Sequence, residues 1–208
     1  MKLDAALRHT LADMQERITS QTTYRGVPAI KCPLDMWVYT ELLWACRPTV
    51  IIEIGNWAGG TLLYLSDLMK SWPIATRFIG VDIDHSRLCE EICRHKITLI
   101  QSNAIDAIEL VRRHITDQDV VFVIEDSSHE YAHTLEVLHL YGKLVTPGSY
   151  MICEDTICGH GLKVGPSPGP HEAVTEYLKT HPEFKPDNMR PFGITWNDNG
   201  VLKKHFRS

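Results

Sequence analysis

Residues 50–60, Val-Ile-Ile-Glu-Ile-Gly-Asn-Trp-Ala-Gly-Gly, constrain this chain more than any other stretch. An apolar run of strand length breaks into a turn holding Gly55, Gly59 and Gly60, and a helical pattern follows. Glu53 is the one charge inside the run. The glycines permit a tight turn and a close backbone approach to a bound group, which a Cβ would block. Their spacing, acidic-x-G-x-x-x-G, is not the G-x-G-x-x-G of dinucleotide folds. A second apolar run, Ile79 to Asp84, ends near Asp82, where a carboxylate can accept from two ribose hydroxyls. An α/β domain with a glycine turn and no ligand explains the glycines equally well. The acid at the tip of the second run favours a nucleoside-type ligand.

From Val50 onward strand and helix signals alternate. Strands are expected at 50–54, 78–82, 97–101, 120–125 and 149–154, with helices at 60–71, 86–95, 104–115, 131–144 and 171–180. This rhythm predicts an α/β fold: a doubly wound, mostly parallel Rossmann-like sheet with helices on both faces. Turn residues at Asn197–Gly200, between strand-like runs within 192–203, predict a closing antiparallel hairpin. Before Val50, Leu3, Leu7, Leu11 and Met14 fall at helical spacing, Tyr24–Asp35 is punctuated by Gly and Pro and reads as extended, and Met36–Cys46 reads as a helix. We expect one domain over 1–208, with 1–48 as a cap and 49–208 as the ligand-binding core. The Gly- and Pro-rich stretch 156–170 follows a strand end and reads as a lid or as a plain surface connection.

Composition narrows the function. With 208 residues and 44% hydrophobic content the chain can bury a full core without staples. A net charge of −5 argues against a nucleic-acid partner, since no basic stripe is available to displace phosphate counterions. No apolar run approaches the ~20 residues of a membrane span, and the charged, amphipathic start is unlike a signal peptide. The six cysteines lack C-x-x-C pairs, which points to reduced thiols and a cytoplasmic location; Cys89 and Cys93, one helical turn apart, read as core residues. A small-molecule partner is the remaining default. The apolar face of the first helix has the core or a second subunit as its partner, and a homo-oligomer is expected.

Chemistry concentrates at two strand ends. Val120–Glu125 runs into Asp126, with His129 three residues on, and Met151–Cys153 runs into Glu154 and Asp155. Neighbouring strands lie ~4.8 Å apart, so Asp126, Glu154 and Asp155 can converge at one sheet edge. Three carboxylates that close repel one another unless a cation sits among them, and oxygen ligands suit a hard divalent ion, Mg²⁺ by default. Solvated strand-end acids are the plainer reading of any one of them. Glu154 and Asp155 can both ligate only if the strand has already turned there, because adjacent strand residues face opposite sides. A two-histidine, one-carboxylate iron site would have to recruit His160 from the 156–170 loop to join Asp126 and His129. A non-catalytic cofactor-binding subunit would keep the glycine turn without needing the acids.

The segments Val27–Asp35, Ile52–Gly55, Gly80–Asp84, Ile124–His129, Glu154–Thr156 and Gly165–Pro170 together resemble the cephalosporin hydroxylase family. Its members, despite the name, are metal-assisted class I methyltransferases related to macrolide-sugar O-methyltransferases and to catechol O-methyltransferase. The similarity runs in order over about residues 24–206. It implies an S-adenosylmethionine-dependent O-methyltransferase acting on a small-molecule hydroxyl, a natural product or sugar. It further implies metal ligation by Asp126, Glu154 and Asp155, and His129 as general base. For the cofactor it implies Glu53, Gly55 and Gly59 around the methionine moiety, Asn56 as a further cofactor-binding residue, Asp82 on the ribose, and Ser102 and Asn103 near the adenine. Lys31 and Asp35 read as cofactor or substrate contacts or as surface residues, and Trp57 as a cofactor contact or a core residue. The chemistry agrees: an alcohol with pKa ~15.7 cannot pass its proton to an imidazole near ~6.5 without a cost of about 12 kcal/mol, which a divalent cation offsets.

Overall fold

A computed structural model describes residues 14–18, 20–160, 165–190 and 194–206. Helical residues 14–18 and 20–21 form α1, and the Leu3, Leu7, Leu11 part of the expected amphipathic face lies outside the described residues. A two-residue hairpin follows, β1 (Thr23–Tyr24) against β2 (Val27–Pro28), turning through Arg25 and Gly26 at positive φ. Helix α2 (Pro33–Cys46) starts three residues earlier than expected, because Pro33 at the first turn needs no N–H partner there. Then come β3 (Val50–Ile54), α3 (Gly60–Lys70), β4 (Arg77–Asp82), α4 (Glu90–Cys93), β5 (Ile97–Gln101), α5 (Ala104–Arg112), β6 (Val121–Glu125), α6 (Tyr131–Tyr141), β7 (Tyr150–Cys153), α7 (Pro170–Thr180), β8 (Phe184–Pro186) and β9 (Val201–Lys204). The main sheet has the order β5-β4-β3-β6-β7-β9-β8, parallel from β5 to β7 and antiparallel at β9 and β8. Both faces of its centre are buried. In β3, Val50, Ile52 and Ile54 pack toward α5, α6 and α7, while Ile51 packs toward α2 and α3. That is why the strand reads as a continuous apolar run.

Two expectations need correction. The helix expected over 86–95 is a 3₁₀ turn at His85–Arg87, capped by Asp84, then an extended Cys89 and the single turn of α4, in which only Ile92 is buried. Cys93 is therefore exposed and not a core residue, whereas Cys89 is half-buried against the core. The closing hairpin is built from β8 and β9, with β9 inserted between β7 and β8. Residues 194–196 are not a strand, and 191–193 lie outside the described residues. The turn at Asn197–Gly200 is present, the Gly200 N–H donating to the Asn197 carbonyl at 2.9 Å. The stretch before it is held instead by α2: the Asp35 carboxylate accepts from Thr195 Oγ1 at 2.6 Å and from the Trp196 N–H at 2.9 Å.

Candidate active site

The chain runs β3, β4, β5 toward one sheet edge and then returns to place β6 on the other side of β3. Loops leaving β3 and β6 therefore diverge, opening a crevice at the carboxyl ends of the strands. A cavity of about 640 Å³ lies there, lined by Gly55 and Trp57 after β3, Asp82 and Ile83 at the end of β4, Ser102 and Asn103 after β5, and Asp126 after β6. That volume suits a nucleoside-sized ligand. A smaller cavity of about 150 Å³ shares Ile30, Gly55, Trp57 and Asp126 with it and adds Glu53, Asn56, His129 and Asp155.

The glycine turn is set by packing as much as by any ligand. A Cβ on Gly55 would lie 2.0 Å from the Asp126 carbonyl oxygen, and Gly55 sits at φ 84°. Gly59, also at positive φ, faces the Ile92 side chain and lines neither cavity, so its part is to shape the entry to α3. Asp82 is oriented by the loop, accepting from the Trp57 N–H at 2.8 Å and the Asp84 N–H at 3.0 Å. Asn103 caps α5, its side-chain oxygen accepting from the Ile105 N–H at 2.9 Å. Trp57 fills both sequence readings, packing on the core and lining both cavities. Glu53 is buried, one carboxylate oxygen has no hydrogen-bond partner among the described residues, and burial pushes its pKa up to about 8. Both side-chain polar atoms of buried Asn56 are likewise unpartnered. These orphaned atoms on the smaller cavity fit a polar ligand that would satisfy them.

The acids converge, but in two groups. Asp126, His129 and Asp155 bring one ligand atom each to within 4.8 Å of one another. His129 Nε2 lies 3.4 Å from Asp155 Oδ2 and 3.7 Å from Asp126 Oδ1. His129 (φ 58°) and Asp155 (φ 56°) both hold the left-handed conformation that non-glycine residues rarely adopt, a local cost characteristic of functional sites. At Asp155 this turns the chain away just past the end of β7. The Asn197 side chain fixes that turn by accepting from the Asp155 N–H at 3.0 Å. Glu154 faces the other group: its carboxylate accepts from Tyr39 Oη at 2.5 Å and meets Lys31 Nζ at 2.8 Å. Lys31 also contacts Asp126 Oδ2. Burial raises the pKa of Asp126, Glu154 and Asp155 together, with Lys31 opposing the rise at each. For Lys31 burial works against the charge, but Asp126, Glu154 and Glu53 outweigh it and hold the ammonium above the ordinary lysine range.

The sequence reading left Lys31 and Asp35 open between site and surface, and both are buried. The available signal was a charged residue within an otherwise apolar, Pro-punctuated segment. Arg87, Glu130 and His133, which also line the larger cavity, carried no such signal. His160 does not join the Asp126 group; its Nε2 lies 2.6 Å from Glu172 Oε1 on α7 and its ring stacks on His171. The described residues thus do not assemble the two-histidine iron set. Residues 161–164 of the proposed lid lie outside the described residues. No helix among the described residues is long and apolar enough to cross a membrane.

Comparison with known proteins bears on this geometry. Residues 16–205 match the family model described as Rhamnosyl O-methyltransferase/CmcI. The rhamnosyl O-methyltransferase of Mycobacterium bovis (strain BCG / Pasteur 1173P2) is 32% identical over 193 residues, covering 89% of this chain and 79% of the relative. That of Mycobacterium leprae (strain TN) is 31% identical over 192 residues, covering 89% and 84%. Among solved structures, a CmcI structure described as Mg-SAM superposes with a TM-score of 0.70 at 27% identity, over 90% of this chain and 78% of that one.

Proposed function

From its membership of the Rhamnosyl O-methyltransferase/CmcI family, which makes this chain an S-adenosylmethionine-dependent O-methyltransferase, we propose that it methylates a hydroxyl of a small sugar-like molecule with the help of a divalent cation, Mg²⁺ by default. The observation that carries this reading is the pair of joined cavities: a nucleoside-sized one ending at Asp126, and a small polar one ending at Asp126, His129 and Asp155. A methyl donor would span the first with its methionine end reaching Glu53 and Asn56 in the second, and an acceptor hydroxyl would meet it beside Asp126, His129 and Asp155.

The residues take the following parts. Glu53, Gly55 and Asn56 receive the methionine end of the cofactor, on a turn that Gly59 shapes. Asp82 accepts from the ribose hydroxyls, and Ser102 and Asn103 flank the adenine. Asp126 and Asp155, which present oxygens beside His129, would hold the cation, and Glu154, whose oxygens meet Lys31 Nζ and the Tyr39 hydroxyl, would complete the anionic cluster beside them. When bound, S-adenosylmethionine would supply the methyl group and the cation would lower the pKa of the acceptor hydroxyl toward that of an imidazole. His129 takes the proton from that hydroxyl as general base. A rhamnose-type acceptor is the finer reading, supported by the names of the mycobacterial relatives.

Calorimetric titration with S-adenosylmethionine, with and without Mg²⁺, paired with methyl transfer to a rhamnoside in EDTA, tests the proposal. We expect cofactor binding to survive chelation and turnover to be lost. Full turnover in excess EDTA would sink the cation's role, and absence of cofactor binding would sink the reading as a whole.

A further inference from the structure

Resting on the proposed cation site, a second feature of the acid cluster goes beyond it. Lys31 is 3% exposed and contacts Asp126 Oδ2 while lying 2.8 Å from Glu154 Oε2. The Tyr39 hydroxyl donates to the other Glu154 oxygen. Ile30, just before the lysine, sits at φ 45°, an outlier for a β-branched residue and a cost the fold bears to deliver Lys31 inward. The two oxygens of Asp126 are thereby divided: Oδ2 meets the lysine, while Oδ1 faces His129 and, with it, Asp155. An ammonium fixed on one oxygen of a carboxylate repels a cation bound at the other, and because Lys31 is buried while Asp126 and Asp155 are half-buried, solvent screens that repulsion only in part. The same ammonium offsets the repulsion among the acids when no metal is present.

We propose that Lys31 is the built-in counter-ion of the acid cluster, a positioning residue that keeps Asp126 and Glu154 in place without metal and weakens the cluster's grip on a divalent cation. With three ionised carboxylates and one lysine, the cluster carries a charge equal and opposite to that of a single divalent ion. The fold is then independent of metal, and the ion exchanges readily.

The test uses the full chain, Mn²⁺ as the probe, and two readouts besides activity: Mn²⁺ affinity by titration calorimetry and thermal unfolding in EDTA against excess Mn²⁺. The wild type should fold in EDTA and gain from Mn²⁺ only the rise in unfolding temperature that its own affinity requires, smaller than that of the variant lacking the lysine. Lys31→Met should unfold at lower temperature in EDTA, recover most of the loss with Mn²⁺, and bind Mn²⁺ at least tenfold more tightly. Lys31→Arg, which keeps the charge, should resemble the wild type. Should Lys31→Met not fold alone, Lys31→Met/Glu154→Gln removes the buried pair as a unit. It should bind Mn²⁺ at least tenfold more tightly than Glu154→Gln, which retains the lysine. Unchanged or weaker Mn²⁺ binding on removal of Lys31 in the background that folds overturns the inference while leaving the cation site intact. A wild type that binds S-adenosylmethionine but no Mn²⁺ overturns both.

Discussion

Two side chains at the crevice separate binding from chemistry. Asp82 is already oriented by two backbone N–H groups, that of Trp57 on the glycine turn and that of Asp84 on its own loop, so its removal should subtract ligand hydrogen bonds together with one tie to that turn. Losing the ribose contacts costs ~2–4 kcal/mol, and Asp82→Ala should bind S-adenosylmethionine at least tenfold more weakly by calorimetry. Unchanged affinity would remove Asp82 from the cofactor site. His129 lies within 4 Å of two carboxylate oxygens but is held there by its own left-handed backbone. His129→Gln should lower kcat by ~10²–10⁴ with Mn²⁺ and cofactor affinities nearly unchanged. If the variant loses Mn²⁺ binding instead, the imidazole is a ligand and the base lies elsewhere.

Between elements, the connection that matters most for the site runs from α2 to the loop after β7. Asp35 holds Thr195 and Trp196, the Thr195 hydroxyl accepts from the Asn197 N–H at 2.9 Å, and Asn197 holds the Asp155 backbone. A helix residue thus steadies a candidate ligand it does not touch. Burial raises the Asp35 pKa to about 6 even with these donors in place, so its carboxylate is a costly group kept for its geometry. Asp35→Ala leaves two half-buried donors, the Thr195 hydroxyl and the Trp196 N–H, without their acceptor. We expect a loss of ~2–4 kcal/mol in urea unfolding, together with Mn²⁺ binding weakened several-fold through Asp155. A loss of stability with metal affinity intact would mean that the chain of bonds ends at Asn197. Gly55 illustrates the same coupling through sterics: its missing Cβ lets the β3 loop pass against the Asp126 backbone, joining the cofactor turn to the acid cluster.

At the scale of the whole molecule, the buried acids make stability depend on pH. Glu125 is buried, has one oxygen bonded to Ser127 Oγ at 2.5 Å and the other without a partner among the described residues, and burial pushes its pKa up to about 8. Below its ordinary pKa of 4.5 it is protonated in both folded and unfolded chains, and above about 8 it is ionised in both. Between those limits the folded state binds more protons, so this group lowers stability as pH rises from about 4.5 to about 8. Glu125→Gln should flatten that slope and stabilise the protein at pH 8.5 by ~2–5 kcal/mol in urea unfolding. An unaltered slope would show that the carboxyl finds water or another partner in solution. The parallel sheet, the glycine turn and the strand-end acids were legible in the sequence because each is a local signal: an apolar run, a residue without Cβ, a charge at the end of a run. The two-turn break at 85–93 and the pairing of β8 with β9 were not, since they depend on Asp84 capping one turn and Asp35 claiming the stretch before residue 197. Strand order likewise joined Asp126 and Asp155 to one cavity. Only tertiary structure divided the acids between His129 and Lys31, because that division follows from where a segment 95 residues upstream of Asp126 delivers a buried ammonium.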